Sequence, residues 1–208
     1  MAKKSFFFVN LKLPLLVFFG LTTPASAAPI LLNSSFEDNN VTSGSYLYAG
    51  SVVADPWVFD GGSGISANSS AWFGFTSTGD YFAFLQLSSA VSQTFTSDGD
   101  YKIGISFDMV ERTAGYSPDQ VVEVWFDGAR QTSINPGSSW NTYTLNDITV
   151  GAGSHSLEFR GISTYDAAGD ASAFIDNIQL TSTPVPEPAA VSLLAFGVIP
   201  WIIRRWSA

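Results

Sequence analysis

From residue 101 onward the chain alternates. Tyr101, Ile103, Ile105, Phe107 and Met109 are apolar, while Lys102, Gly104, Ser106 and Asp108 between them are polar or small. A period of two over this run predicts a half-buried β-strand, because successive side chains of a strand point to opposite faces. The same rule sets Val122, Val124 and Phe126 against Glu123, Trp125 and Asp127, with Asp127-Gly128 as the closing turn. Leu157 and Phe159 alternate with Ser156, Glu158 and Arg160. Further strands are predicted at 30–36, 57–59, 81–86, 91–96, 142–145 and 173–180. Gly, Ser, Thr, Asn and Asp punctuate these runs, and no segment between them carries a helical period. The pattern predicts an all-β domain of about ten strands arranged as a two-sheet sandwich.

The two ends read differently. Lys3, Lys4 and Lys12 precede an apolar stretch at 13–21, then Pro24 and Ala25-Ser26-Ala27. A charged region, an apolar region and a small-x-small site predict a secretory signal peptide, residues 1–27, cleaved after Ala27. At the other end Val185-Pro186-Glu187-Pro188 leads into an uncharged apolar run, 189–203, and then Arg204-Arg205. As a helix that run measures roughly 22 Å at 1.5 Å per residue, short of a hydrocarbon core of about 30 Å. Trp201 and Trp206 at the headgroups, with Arg204 and Arg205 snorkelling to water, would complete a span. A buried core helix is the alternative for a run this short. Lysines at one end and arginines at the other keep both termini cytoplasmic and place everything between them outside.

The order of the C-terminal parts resembles the PEP-CTERM sorting tail, carried by exported proteins of Gram-negative bacteria that make exopolysaccharide. The resemblance implies export by the general secretion machinery and transient anchoring in the inner membrane with the domain in the periplasm. It further implies recognition of Pro186, Glu187 and Pro188 by an exosortase, followed by release to the cell surface or medium. Pro200 and a basic tail (204–208) of only two arginines depart from the usual form of that tail. The prolines keep the recognised segment extended, which suits the cleft of a processing enzyme. Residues 181–188, rich in Thr, Ser and Pro, read as an extended stalk between a sandwich at 28–180 and the helix.

Charge narrows the partners. Between residues 28 and 183 four basic residues (Lys102, Arg112, Arg130, Arg160) face 17 acidic ones, a formal net of −13. Such a surface argues against nucleic acid and anionic lipid, and suits a neutral ligand or a cation. The chain has no cysteine, which excludes disulfides, thiolate metal sites and cysteine nucleophiles.

Three segments carry a second resemblance: Asn33-Ser34-Ser35-Phe36-Glu37, Ile105-Ser106-Phe107-Asp108 and Phe174-Ile175-Asp176-Asn177-Ile178. In this order and spacing they resemble the galactose-binding-like jelly roll, the β-sandwich of many carbohydrate-binding modules. In such modules a structural calcium is often held by an acid ending the first strand and one in the last. The resemblance implies Glu37 and Asp176 as ligands. By strand parity Asp176 lies with Phe174, Ile178 and Leu180, which points its carboxylate inward, and a buried carboxylate must be paired or metal-bound. The alternative is that Asp176 accepts main-chain N–H groups at a bulge and Glu37 is solvated.

A polysaccharide site is expected on the opposite strand face. If the strands around Ser106 and Glu123 share a sheet, Gly104 and Ser106 form a floor. Asp108, Glu123 and Trp125 then stand around it, with Arg112 at the rim. Sugars need an aromatic surface for their C–H faces and planar polar groups for their hydroxyls. Trp57, Trp72, Tyr116 and Trp140 are further aromatic candidates, with ordinary core packing as the alternative for each.

Catalysis finds little support. Asp108 and Glu123 could form a glycosidase pair only at a set separation. His155 is the single histidine and has no motif around it. No Gly-x-Ser-x-Gly elbow is present, and Gly61-Gly62-Ser63-Gly64 opens no helix and reads as a turn. The expectation is a non-enzyme that binds polysaccharide; a structural matrix protein or adhesin without a small-molecule site is the alternative.

Overall fold

A computed structural model of the chain describes residues 27–52, 56–112, 120–162 and 170–186. The expected signal peptide before Ala27, the apolar run 189–203, the tail 204–208, Glu187, Pro188 and Tyr116 lie outside the described residues. Eleven strands are present: β1 (Tyr46–Tyr48), β2 (Val58–Asp60), β3 (Ser63–Ala67), β4 (Tyr81–Gln86), β5 (Ser88–Ser97), β6 (Tyr101–Glu111), β7 (Val122–Phe126), β8 (Ala129–Ile134), β9 (Asn141–Val150), β10 (Gly153–Ile162) and β11 (Ser172–Pro184). They form a six-stranded sheet, β1-β3-β4-β11-β6-β9, and a five-stranded sheet, β2-β5-β10-β7-β8. Every pairing is antiparallel. No helix occurs among the described residues.

The core lies between the sheets, where the alternation places it. Ile103, Ile105, Phe107 and Met109 of β6 meet Val122 and Val124 of β7 and Leu157 and Phe159 of β10. Phe107 and Phe159 pack edge to face across the sandwich with centroids 5.0 Å apart, a favourable aromatic geometry. Trp57 is core as well: it is buried, and its indole N–H donates to the Asn33 carbonyl at 3.0 Å.

Three local readings are corrected. Residues 30–36 form no strand; Asn33 and Phe36 take left-handed φ values of 45° and 60°, and Phe36 N–H bonds the Asn33 carbonyl. Gln93 secures this stretch by exchanging two hydrogen bonds with the Leu32 backbone, at 2.7 and 2.9 Å. The expected stalk begins too early, since β11 continues through Thr181, Ser182, Thr183 and Pro184 in register with β6. Finally, β11 carries a bulge between Asp176 and Gln179, with Asn177 at φ 50°. An extra residue reverses the face of everything beyond it. Ile175 and Ile178 therefore both enter the core, while Phe174 and Asp176 face outward.

That outward face of the larger sheet is not simply wet. Phe82, Phe84, Val110 and Phe174 form a second apolar cluster there, capped by Trp72 from the β3–β4 connection. β4 is consequently buried on both faces.

Candidate functional site

The four residues expected around one sugar site divide between the two sheets. β6 belongs to the six-stranded sheet and β7 to the five-stranded one. Asp108 and Arg112 therefore lie on one outer face of the sandwich, and Glu123 and Trp125 on the other. Around Trp125 the polar groups satisfy one another. Glu123 accepts from Arg130 at 2.7 Å and from the Trp125 indole at 3.0 Å, and Arg160 stands 4.3 Å over the Trp125 ring. Arg160 in turn makes two bonds to Glu158, at 2.6 and 2.8 Å. The Arg130 hydrogen bond holds the Glu123 carboxyl below its ordinary range. One face of the Trp125 ring is thus occupied by a guanidinium.

Asp108 is similarly engaged. It accepts from Thr142 at 2.6 Å, Ser77 at 2.8 Å and the Asn177 amide at 3.0 Å. Burial pushes this carboxyl up, but the three hydrogen bonds outweigh it and the group sits below its usual value. Asp108 and Glu123 cannot act as a glycosidase pair from opposite faces. Nor is His155 a free base. Its two ring nitrogens lie 2.7 Å from the Asp127 carboxylate and 3.0 Å from the Gly151 carbonyl, so both positions favour a proton.

The expected calcium ligands hold the 76–81 segment instead. Asp176, fully buried, accepts the N–H groups of Ser77 and Thr78 at 2.9 Å each and its neighbour Asn177 N–H at 2.6 Å, and at 3.1 Å it shares the single Ser77 hydroxyl proton with Asp108. Glu37 accepts the N–H groups of Asp80 and Tyr81 at 3.0 and 3.1 Å. Burial pushes the Asp176 carboxyl up to about 6 in spite of these donors. Calcium requires free carboxylate lone pairs and inward carbonyls. Here the segment turns N–H groups, not carbonyls, toward Glu37 Oε1 and Asp176 Oδ2, so those two oxygens serve the main chain and not an ion. Among the described residues no group of three or more His, Asp or Glu side chains could hold a metal.

The structure assembles a different site, on the outer face of the six-stranded sheet. A cleft of about 220 Å³ is lined by Phe73, Phe75, Trp140, Val110, Arg112 and Ser139, among others. Phe73 and Phe75 are 63% and 65% exposed, large values for phenylalanine rings that flank a polar recess. Their loop is built, not loose. Gly74 presses between Phe82 and Phe174, where an added Cβ would stand 2.6 and 2.7 Å from ring carbons. Trp140 donates its indole N–H to the Phe75 carbonyl at 2.8 Å. Phe73 itself adopts φ 58°, the left-handed region that costs a bulky residue energy.

Beneath the loop runs a stack of three side chains. Trp72 lies 4.2 Å from Phe84, and the Arg112 guanidinium lies 4.3 Å over the Trp72 ring. Arg112 pairs with Asp170 at 3.2 Å and donates to the Ala71 carbonyl. Sequence reasoning names Trp72, Trp140 and Arg112 but misses Phe73 and Phe75. Their signal is Trp72-Phe73-Gly74-Phe75, aromatic residues crowded around one glycine and flanked by serine and threonine turn formers.

No protein-family model and no curated protein matches the chain. Solved structures do. TmCBM61, a carbohydrate-binding module solved with β-1,4-galactotriose, aligns with a TM-score of 0.50 at 16% identity, covering 76% of this chain and 100% of that one. A cyclase from Fischerella sp. TAU, solved with 4-(1H-indol-3-yl)butan-2-one, aligns with a TM-score of 0.52 at 14% identity, covering 77% of this chain and 100% of that one. The chain thus has the β-sandwich fold found in carbohydrate-binding modules. One of these neighbours is a binding module and the other an enzyme, so activity must be argued from the site.

Proposed function

We propose that the chain is an exported, non-catalytic module that binds a neutral polysaccharide through the cleft between Phe73, Phe75 and Trp140. The observation carrying this reading is the pair of exposed phenylalanines on an ordered loop beside Arg112. Exposed apolar rings rimmed by polar groups mark interaction surfaces. Aromatic faces accept the C–H surfaces of sugar rings, and hydroxyls are met by fixed polar groups. The acidic surface favours a glycan without negative charge. The occupied state of Glu123, Asp108 and His155 supports binding without catalysis.

The termini supply the delivery half of the proposal. A signal peptide would be removed after Ala27, and a PEP-CTERM pathway would process the tail at Pro186-Glu187-Pro188, leaving the module at the cell surface or in the matrix. A glycan array tests the binding half. Wild-type protein is expected to retain a neutral polysaccharide, and the F73A/F75A variant to lose it. Absence of wild-type binding to every glycan, with surface location retained, would overturn the sugar reading and favour a structural matrix protein or adhesin. Mass spectrometry of the mature protein tests the delivery half; an intact N-terminus and an uncut tail would sink it.

A further inference from the structure

We infer that the loop bearing Phe73 and Phe75 is fixed by an all-protein clamp, in which Asp176 and Glu37, the two acids that the resemblance implies as calcium ligands, grip the main chain of residues 76–81. The functional half of this inference rests on the glycan-binding reading; the structural half does not.

The clamp closes from two sides. Asp176 projects from β11 and takes Ser77 and Thr78, while Glu37 projects from the 33–41 segment and takes Asp80 and Tyr81. Between the two grips stands Gly79 at φ +76°, where a Cβ would lie 2.3 Å from the nearer Glu37 carboxylate oxygen. Only glycine lets the turn close so tightly on the acid.

Two carbonyl groups in and beside this segment, of the kind a calcium ion would want, are already engaged. The Gly79 carbonyl accepts the Thr76 hydroxyl at 2.7 Å and the Asn68 amide at 3.3 Å. The Phe75 carbonyl accepts the Trp140 indole. Asn68 also accepts the Thr76 N–H at 2.8 Å, so one side chain ties both ends of the turn. Ser77 extends the grip to β6 by donating to Asp108. An N–H group and a cation cannot share one carboxylate lone pair. The lone pairs that these N–H groups take up, on Glu37 Oε1 and Asp176 Oδ2, are therefore closed to an ion while the clamp holds. Because residues 76–78 follow Phe75 directly, the clamp sets where the aromatic platform stands.

Thermal melting and amide hydrogen exchange of the purified chain test this without any ligand. In EDTA and in millimolar calcium the melting temperature is expected to be the same, and the amides of Ser77, Thr78, Asp80 and Tyr81 to be protected in both. Glu37→Ala should release Asp80 and Tyr81 selectively, leaving Ser77 and Thr78 slow. A calcium-induced rise in melting temperature that Glu37→Gln abolishes would overturn the inference, as would fast exchange of the four amides in EDTA. For the functional half, Ser77→Ala should weaken glycan binding about tenfold with unchanged calcium response. Unaltered affinity in that variant overturns the positioning role, whereas a wild-type protein that binds no glycan overturns the functional reading and leaves the clamp standing.

Discussion

The guanidinium carbon of Arg112 lies 4.3 Å from the centroid of the Trp72 ring, and the same group pairs with Asp170 at 3.2 Å. Arg112 is 5% exposed, whereas Asp170 keeps 26% of its side chain in solvent and also accepts from Gln86 at 2.6 Å, so the pair is only half-buried. Removing one member of a fully buried pair costs about 3 kcal/mol or more, and a partly solvated survivor such as Asp170 lowers this to about 1–2 kcal/mol. Arg112→Ala is accordingly expected to lose roughly that amount in urea denaturation. Arg112→Lys keeps the charge but not the planar stack, and should lose about half as much. A loss below about 0.5 kcal/mol in the alanine variant would show that the stack is not a structural element.

Phe73 invites the opposite result. Its φ of 58° is unfavourable for a phenylalanine, and its ring is 63% exposed, so little burial compensates the backbone. Glycine takes the left-handed region without the steric penalty. Phe73→Gly should leave stability unchanged or raise it by about 1 kcal/mol, while weakening glycan binding. Chemical denaturation and isothermal titration read the two effects separately. A variant that loses both stability and binding would mean that the ring is packing, not platform.

How far the chain can be read without its structure depends on the residue. Ile103, Ile105, Phe107 and Met109 reveal their burial because one face of β6 alternates cleanly with its neighbours. β3 and β4 do not, since Trp72 and Phe174 cover the second face and the wet positions that would mark a period of two disappear. Parity assigns a residue to a face, not to a sheet. Asp108 and Glu123 are both outward residues, yet they stand on opposite sides of the molecule. Asp176 defeats parity altogether, because the bulge at Asn177 reverses the strand beyond it. Arg112 and the tryptophans are visible as chemistry; that Phe73 and Phe75 are displayed is visible only once Gly74 is seen wedged between Phe82 and Phe174.

Trp125 separates the two faces experimentally. Its ring is covered by Arg160 and its indole N–H bonds Glu123, a network on the outer face of the five-stranded sheet. A cation–π contact at a partly exposed site contributes about 0.5–1 kcal/mol, and truncating the ring also removes its own packing area. Trp125→Ala should therefore cost about 1–2 kcal/mol in stability and leave glycan affinity unchanged. Selective loss of affinity with stability intact would relocate the binding site to that face.

Acid should stabilise this protein over part of its range, for two reasons of the same sign. Asp176 has a folded value of about 6 against an ordinary 3.8, because burial disfavours its charge. The folded state thus holds a proton that the unfolded chain has released, and the stability this contributes is present below 3.8 and lost as pH rises to about 6. For His155 burial pulls the value down, but the Asp127 hydrogen bond and the Gly151 carbonyl outweigh it, leaving the imidazole above its ordinary 6.5. Its contribution is complete below 6.5 and fades as pH climbs through the raised value. Asp108 works the other way, being held below its ordinary 3.8, and limits the gain at the acid end. Melting temperature measured from pH 3 to 9 should peak at about pH 4–5 and decline toward neutrality. Asp176→Asn should flatten the decline on the acid side of 6, and His155→Gln the part above 6.5. A wild-type profile that rises from pH 5 to 8 would contradict both assignments.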